Sequence, residues 1–583
     1  MVYNRIVDID SAITVKHCLV IGLLILITIP GIAALLHPGF YTSHDGRHQI
    51  TRLVHFHQGL VDGQLPVRWA GFALRGYGYP LFVFTYRLPF WFAEAWYRVF
   101  GDLGNAIKFS FILSFLISGI AMYWFLYLLT KSKLAALTGS VLYLWAPYRF
   151  VDIYVRAALG EAWTFVFIPL LFASIYGLAT KAKKYGYWLE FTLGLAGMIL
   201  SHMMTLIVFA VPLLIWLVIW FIKSPKKLAY TVFCVSSGLA SILLTIYYWF
   251  PASYERSFTR FNDTIGAYYK DHFVTFKQLL YSPWGYGFSM PGTNDDMMSF
   301  SVGIVQWGVV VLILGLLVTW LVVKFLPTIK PLQTLAQTIE ITSERLLIIS
   351  FALLLFILSI YLMMSDGVWF FDLIAKVMVI DIPWKFLVVT VFTVALLAAM
   401  LIKSLKNIYV QIALMLVLIG VAVYGNRNHI NVNQYVYYPD SEYFQSNETS
   451  NQYDDYMPKD FDTGALADRD PQLAVISGTA QTKLLKRTSN AFQFLAQVES
   501  NQSNIATKLA NYPGWELSVD GVKKELVAEQ GRIIVNLPKG KHIVSLRFGE
   551  TPWRLGSNLI SLLSLLGIVF YTIRELIWKN VKK

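Results

Sequence analysis

Only two of the 583 residues are cysteine, and only 14% are charged. Both thiols, Cys18 and Cys234, sit inside apolar runs, which excludes a disulfide framework and a thiolate metal cage. The shortage of charge excludes an ordinary soluble domain, in which about a quarter of residues are charged. No internal repeat or low-complexity tract stands out, so a solenoid is excluded as well. Apolar residues fill the space: 56% of the chain is hydrophobic and the mean hydropathy is +0.55. The expected fold class is a polytopic α-helical membrane protein. A net charge of +13 would point to nucleic acid in a soluble protein, but here membrane topology accounts for it and no nucleic-acid partner is expected.

Apolar runs of roughly 17 to 25 residues cross the hydrocarbon core as helices. About twelve are found, near 16–36, 106–130, 134–150, 161–180, 186–201, 203–222, 229–250, 301–324, 346–364, 385–402, 408–425 and 555–577. The first, "HCLVIGLLILITIPGIAALLH", is too long for a cleavable leader and lacks a small-residue cleavage site, so it reads as a signal anchor. Lys131 and Lys133, Lys181, Lys183 and Lys184, Lys223, Lys226 and Lys227, Lys403 and Lys406, and the tail "RELIWKNVKK" fall in alternate loops. The positive-inside rule makes those loops cytoplasmic. The expected topology has both termini inside a cytoplasmic-type membrane, with 37–105, 251–300, 365–384 and 426–554 facing outward. The stretch 79–101 is apolar enough to span, but a span there would reverse every later loop. Its Arg87, Glu94 and Arg98 among many aromatics fit interfacial helices.

The organisation that follows is a multi-span region 1–425, an extracytoplasmic β-rich domain 426–554, and a last span with a basic tail, 555–583. Segments such as "FQFLAQVES", "WELSVDG", "RIIVNLP" and "HIVSLRFG" alternate with period two, and "NYPGW" and "LPKGK" are the turn signals between them. Sequons stand at Asn447 and Asn501.

The first outer loop carries Arg47, Arg52, Arg68, Arg75, Arg87 and Arg98 but no lysine from Gly39 to Asn105. A guanidinium is a planar fork of donors suited to phosphate oxygens, so this bias points to phosphate at the membrane surface, with snorkelling arginines as the plainer reading. The stretch "YTSHDGRHQITRLVHFHQG", 41–59, concentrates one carboxylate, four histidines and two arginines where the chain leaves the first span. Asp45, flanked by His44, Arg47 and His48, is the candidate catalytic base; its structural alternative is a helix N-cap. A divalent metal between His44, Asp45 and His48 is a further reading, although spacing fixes no third ligand, and the expectation is no cofactor.

Other outer ends carry polar groups that default to functional suspicion at membrane depth. "YRFVDIYVRAALGEAW" brings Asp152, Arg156 and Glu161; "LSHMMT" brings Ser201 and His202. "YSPWGYGFSMPGTNDDMMSF" brings Trp284, Tyr286 and the Asp295–Asp296 pair, and "DIPWKF" brings Trp384 and Lys385. Each taken singly fits a helix cap or an interfacial anchor; converging on one face they form a site.

The order "HDGRHQITRLVHFHQGLVDGQLPVRWAGFALRGYGYPLFVF", "RAALGEAWTFVFIPLL", "SHMMT", "SPWGYGFS", "IPWKFL" and "YPGWELSVDG" resembles the YfhO-like membrane proteins. That group is often labelled "6-pyruvoyl-tetrahydropterin synthase-related". The pterin label does not suit a twelve-span chain without an arranged zinc triad. The resemblance implies a GT-C type glycosyltransferase that uses a polyprenyl-phosphate sugar at the outer face. Its essential acid in the first outer loop maps onto Asp45, and "HDG" has histidine where many relatives have a second acid. On that reading Arg47, Arg156 and Lys385 stabilise the leaving phosphate. His44, His48, Arg52, Glu161 and His202 border donor or acceptor, and Trp284, Tyr286 and Trp384 stack on sugar or line a lipid groove. The acceptor is an envelope glycan, a teichoic-type polymer or a protein. A flippase for a lipid-linked saccharide is the alternative from another class, against which stand the nearly charge-free centres of the spans and the lack of repeats. A scaffold presenting the β domain is the third.

Overall fold

The computed structural model describes residues 15–581 except 183, 262–267, 293–294, 326–337, 376–379, 447–455, 463 and 465–470. The Asn447 sequon lies outside the described residues. Among those described, nine helices are long and apolar enough to span: Val15–Leu36, Leu103–Thr130, Leu159–Thr180, Lys227–Phe258, Ile304–Phe325, Ser343–Met363, Pro383–Ser404, Ile408–Gly425 and Pro552–Ile577. The chain is a multi-pass membrane protein. The shorter apolar helices Lys133–Leu144 and Ala210–Lys223, with Lys184–Ser201, stand at the other three expected positions. Helices thus stand at all twelve expected positions, and among the described residues nine of them are long and apolar enough to span; two of the others are short for a local reason. Pro147 follows the 12-residue helix Lys133–Leu144 and cannot extend it, and the apolar run at 203–222 breaks at Phe209 into pieces of 6 and 14 residues.

The segment 79–101 forms a single short turn and the 13-residue helix Leu88–Phe100. At about 1.5 Å per residue such a helix reaches roughly 20 Å, too little for a hydrocarbon core of about 30 Å. Its Glu94 turns inward to His57 Nδ1 (3.0 Å) and Arg98 Nε (2.6 Å).

Leu159–Thr180 and Pro383–Ser404 are the axis of the bundle, with 89% and 100% of their apolar windows buried. Pro552–Ile577 and Ile408–Gly425, at 6% and 17%, lie on the periphery and present apolar side chains outward as a lipid-facing helix does. Close approach at the axis depends on Gly139: a Cβ there would stand 2.5 Å from the Ala395 carbonyl oxygen and 2.3 Å from Leu126 Cδ1.

The long connecting segments gather on one face of the bundle. Strand β1 (Phe40–Tyr41) pairs antiparallel with β2 (Tyr435–Val436), Thr259 bridges to Pro458, and Trp384 Nε1 donates to Ser289 Oγ (3.2 Å). On the opposite face Ser224 Oγ donates to the Ala179 carbonyl and Glu340 N–H to that of Ser404, among the lysine-bearing ends.

The β-rich unit is an antiparallel sheet in which β3 (Leu473–Ser477), β5 (Ala491–Ala510), β9 (Arg532–Phe548), β6 (Trp515–Val519) and β7 (Val522–Lys524) lie side by side in that order, with β4 (Ala480–Thr488) paired to β5 and β8 (Val527–Glu529) to β9. Strand β5 (Ala491–Ala510) buries Phe492, Phe494, Ala496 and Val498 on alternate positions, as a sheet with one covered face requires. "NYPGW" is the turn into β6 (Trp515–Val519), but "LPKGK" is no turn. It lies inside β9, where Pro538 pairs with Gln502 and Gly540 with Val498, so three residues of β5 oppose one of β9. Pro and Gly mark a bulge here, since one residue needs no N–H partner and the other, at φ +139°, tolerates the distorted backbone.

The sheet is fastened to the bundle by a buried ion pair. Arg554, at the start of the last helix, places Nε and Nη2 each 2.6 Å from the Glu255 carboxylate, which also accepts from Tyr512 Oη and Trp553 Nε1 (both 2.9 Å). Arg68 adds a second tie, to Glu550 at 3.1 Å and the Tyr247 carbonyl at 2.9 Å.

Candidate active site

The site is built around an irregular turn. Residues Val151–Arg156 wind as a π-helix ahead of the span Leu159–Thr180, and Ala157 closes it in the left-handed region at φ 52°. Such wide turns shift carbonyls out of the regular ladder, and these go to the first loop. The carbonyls of Ile153, Val155, Arg156 and Ala157 accept from Tyr41 Oη (2.8 Å), His44 N (2.9 Å), Asp45 N (2.9 Å) and Gln49 Nε2 (3.2 Å). The loop containing Asp45 is thereby stapled along the π-turn that carries Asp152 and Arg156.

Asp45 occupies the N-cap position of helix Gly46–Val61 yet makes no side-chain capping hydrogen bond. Gln49 and Arg52 follow one and two turns along the same face. The half-buried Tyr86 donates to Gln49 Oε1 (3.2 Å), and its hydroxyl feels both Asp45 and Arg52.

Beneath lies a buried polar cluster. Arg156 Nη1 donates to Asp152 Oδ1 (2.9 Å), Glu161 Oε2 (2.9 Å) and Tyr148 Oη (3.0 Å), and Tyr148 donates to Glu161 Oε1 at 2.6 Å. The Arg156 guanidinium packs on the Trp384 ring, 4.9 Å from its centroid. Lys385 holds both oxygens of Asp381 (2.7 and 2.8 Å) and contacts Met204 Sδ at 3.0 Å. His202 bonds Thr205 Oγ1 (2.7 Å) and lies in the field of Lys385, Glu161, Asp381 and Arg156. Gly160 makes this approach feasible, because a Cβ there would meet the Ser201 carbonyl and the Tyr86 ring, each at 2.5 Å.

Burial pushes Asp152 well above the usual carboxylate range, and Glu161 beside it adds to the shift. Asp152 Oδ2 is buried without a hydrogen-bond partner. Three cations, Arg149, Arg156 and Lys385, stand among three carboxylates, Asp152, Glu161 and Asp381.

No family model matches the chain. An uncharacterized protein of Lactococcus lactis subsp. cremoris (strain MG1363) is 24% identical over 237 residues, 39% of this chain. The match spans 38% of that relative's length. Among solved structures, ArnT from Cupriavidus metallidurans bound to undecaprenyl phosphate aligns at a TM-score of 0.34 and 12% identity, covering 74% of this chain and 68% of that one. The apo state of the same protein aligns at 0.35 and 13%, with the same coverage.

The remaining expected residues fall around the cluster. His44 Nε2–H donates to the Gly287 carbonyl (2.9 Å) and its ring stacks on Phe288 at 4.2 Å, so this imidazole holds the 284–300 segment over the site. Burial, and Arg156 nearby, lower its basicity. His48 is half-buried one turn beyond Asp45. Arg47 points away from the cluster, to Glu442 (3.9 Å) and the face of Tyr438. Trp284 stacks on His429 at 4.3 Å and Tyr286 donates to the Asn431 carbonyl (2.7 Å); both clamp neighbouring segments a layer away. Of the other outer arginines, Arg68, Arg87 and Arg98 are taken up by Glu550, the Phe82 carbonyl and Glu94, so the arginine bias of this loop is largely structural. Among the described residues no group of three or more His, Cys, Asp or Glu side chains is arranged to hold a metal ion.

Tyr148, Asp381, Tyr86 and Gln49 were not singled out by the sequence. Asp381 had a signal, its i, i+4 spacing to Lys385; the other three had none. Beside Phe386 an apolar cavity of about 580 Å³ runs at membrane depth, lined among others by Ile207, Ala210, Leu358, Leu362 and Phe370.

Burial, and Lys385 beside it, bring the His202 pKa down to about 4. The unfolded imidazole binds its proton near 6.5, so between those values the unfolded chain holds more protons. The stability from burying neutral His202 is complete above about pH 6.5 and is lost as pH falls towards 4. In nanodiscs the thermal midpoint should drop over that window, and His202→Gln should flatten the drop. An unchanged slope in the variant refutes the burial of a neutral ring.

Proposed function

We propose that the protein transfers a sugar from a polyprenyl-phosphate donor to an envelope acceptor at the outer face of the cytoplasmic membrane. The observation that carries this reading is the backbone hydrogen bonding that staples the loop bearing Asp45 along the turn carrying Arg156, whose cluster includes Glu161, His202 and Lys385. The resemblance to YfhO-like proteins supplies the sugar and the polyprenyl carrier; the geometry supplies a base beside cations above an apolar cavity. In this mechanism Asp45 accepts the proton of an acceptor hydroxyl, whose oxygen bonds the anomeric carbon while the bond from that carbon to the lipid phosphate breaks. The departing phosphate keeps the electron pair, and Arg156 and Lys385 offset its charge. The Trp384 ring packs against the Arg156 guanidinium and limits its movement. Lysine-rich ends on the opposite face agree with both termini being cytoplasmic.

The apolar cavity beside Phe386 takes the isoprenoid end of the donor. Ala210→Trp, which fills that cavity, should raise the KM for a radiolabelled polyprenyl-phosphate hexose about tenfold, equivalent to about 1.4 kcal/mol, and leave kcat near its original value. The assay follows label from lipid to an envelope fraction in proteoliposomes. Movement of the lipid across sealed vesicles without label reaching an acceptor would replace transfer by transport.

A further inference from the structure

A second cleft, of about 450 Å³, is walled by Asp102, Tyr437, Tyr438, Asp440 and Tyr443 over a floor formed by Phe40. The floor reaches the proposed catalytic loop: the Phe40 ring stands 2.5 Å from where a Cβ would lie on Gly46, the residue after Asp45. Arg47, the next residue, lies over the Tyr438 ring and near Glu442. The walls are fixed in advance. Strands β1 and β2 pair Phe40 with Val436, Asp440 Oδ1 accepts from Leu103 N (3.2 Å), and Asp102 Oδ1 accepts from Asn105 N (2.8 Å).

Tyr437 and Tyr438 are 66% and 41% exposed although they stand on a segment otherwise tied down. Two carboxylates share the lining with them, and no basic residue does. Exposed aromatic faces match the C–H faces of a pyranose, and carboxylate oxygens accept from its hydroxyls. A pair of carboxylates repels acidic saccharides and polyol phosphates alike. An aromatic belt at the membrane interface would need the rings but not the acids.

We propose that this cleft binds the acceptor as a saccharide without acidic groups, delivering a pyranose hydroxyl towards Asp45. The proposal rests on the transferase reading and narrows its acceptor, removing teichoic-type polymers.

Saturation-transfer NMR on the full chain in nanodiscs, without donor, tests it with two probes of equal length, chitotetraose and tetragalacturonate. Chitotetraose should receive saturation and tetragalacturonate should not. Tyr437→Ala/Tyr438→Ala should weaken chitotetraose about tenfold. Asp440→Asn keeps an oxygen for the Leu103 N–H, so the wall stays in place, and it should admit tetragalacturonate. Equal binding of both probes by the wild type, no binding of chitotetraose, or undiminished binding in the double variant would each overturn the proposal. Binding is read without turnover, so lost transfer with intact binding counts against the transferase reading alone, and lost binding with intact transfer against the cleft alone.

Discussion

Asp45→Asn should lower label transfer from polyprenyl-phosphate hexose by about 10²- to 10⁴-fold, the usual worth of a positioned general base. The change is nearly isosteric, and the backbone N–H that bonds the Arg156 carbonyl is untouched. The carboxylate makes no capping bond, so the backbone hydrogen bonds that open the helix Gly46–Val61 stay in place when the charge goes. Expression, membrane insertion and the thermal midpoint should therefore match the wild type, and the KM for donor should hold while kcat falls. Transfer at the wild-type rate would remove Asp45 from the chemistry.

The second large effect is on stability. Arg156 is the shared partner of Asp152, Glu161 and Tyr148, and its side chain is only 11% exposed. Removing one member of a buried ionic group typically costs about 3–5 kcal/mol, because the partners stay buried without compensation. Arg156→Ala should lower the unfolding midpoint in nanodiscs sharply, and Arg156→Gln/Glu161→Gln, which deletes a cation and an anion together, should recover much of the loss. The double variant should still fail in transfer, since the cation proposed to meet the leaving phosphate is absent. A single variant as stable as wild type would mean that the cluster is not held together by this guanidinium.

Much of the architecture was legible because its signals are local. Helix positions follow from runs of apolar residues, and the placement of 79–101 off the span list follows from charges at helical spacing. The errors were local as well. Pro147 and the break at Phe209 shortened two helices, and "LPKGK" gave a bulge where the same residues elsewhere make a turn. In the candidate site, His44, Asp45, Arg156, Glu161, His202 and Lys385 were named from ionisable groups at span ends, and Trp384 from its aromatic ring beside Lys385. Tyr148 and Tyr86 were not, because a tyrosine at a helix end is common and only its partners make it distinctive.

Composition and the spacing of apolar runs were enough to establish a multi-pass helical chain with a β-rich region before its last helix, since hydrophobic length and side-chain period act through near neighbours. Folding in three dimensions settled what no spacing encodes. It put the carbonyls of a π-turn against a loop more than a hundred residues earlier, diverted Arg47, Arg68, Arg87 and Arg98 into structural contacts, and buried Asp152 beside Glu161, which pushes the Asp152 carboxyl upward from its ordinary range. Charge in a protein interior is governed by which groups meet and how little water reaches them, and both depend on contacts between segments far apart in the chain.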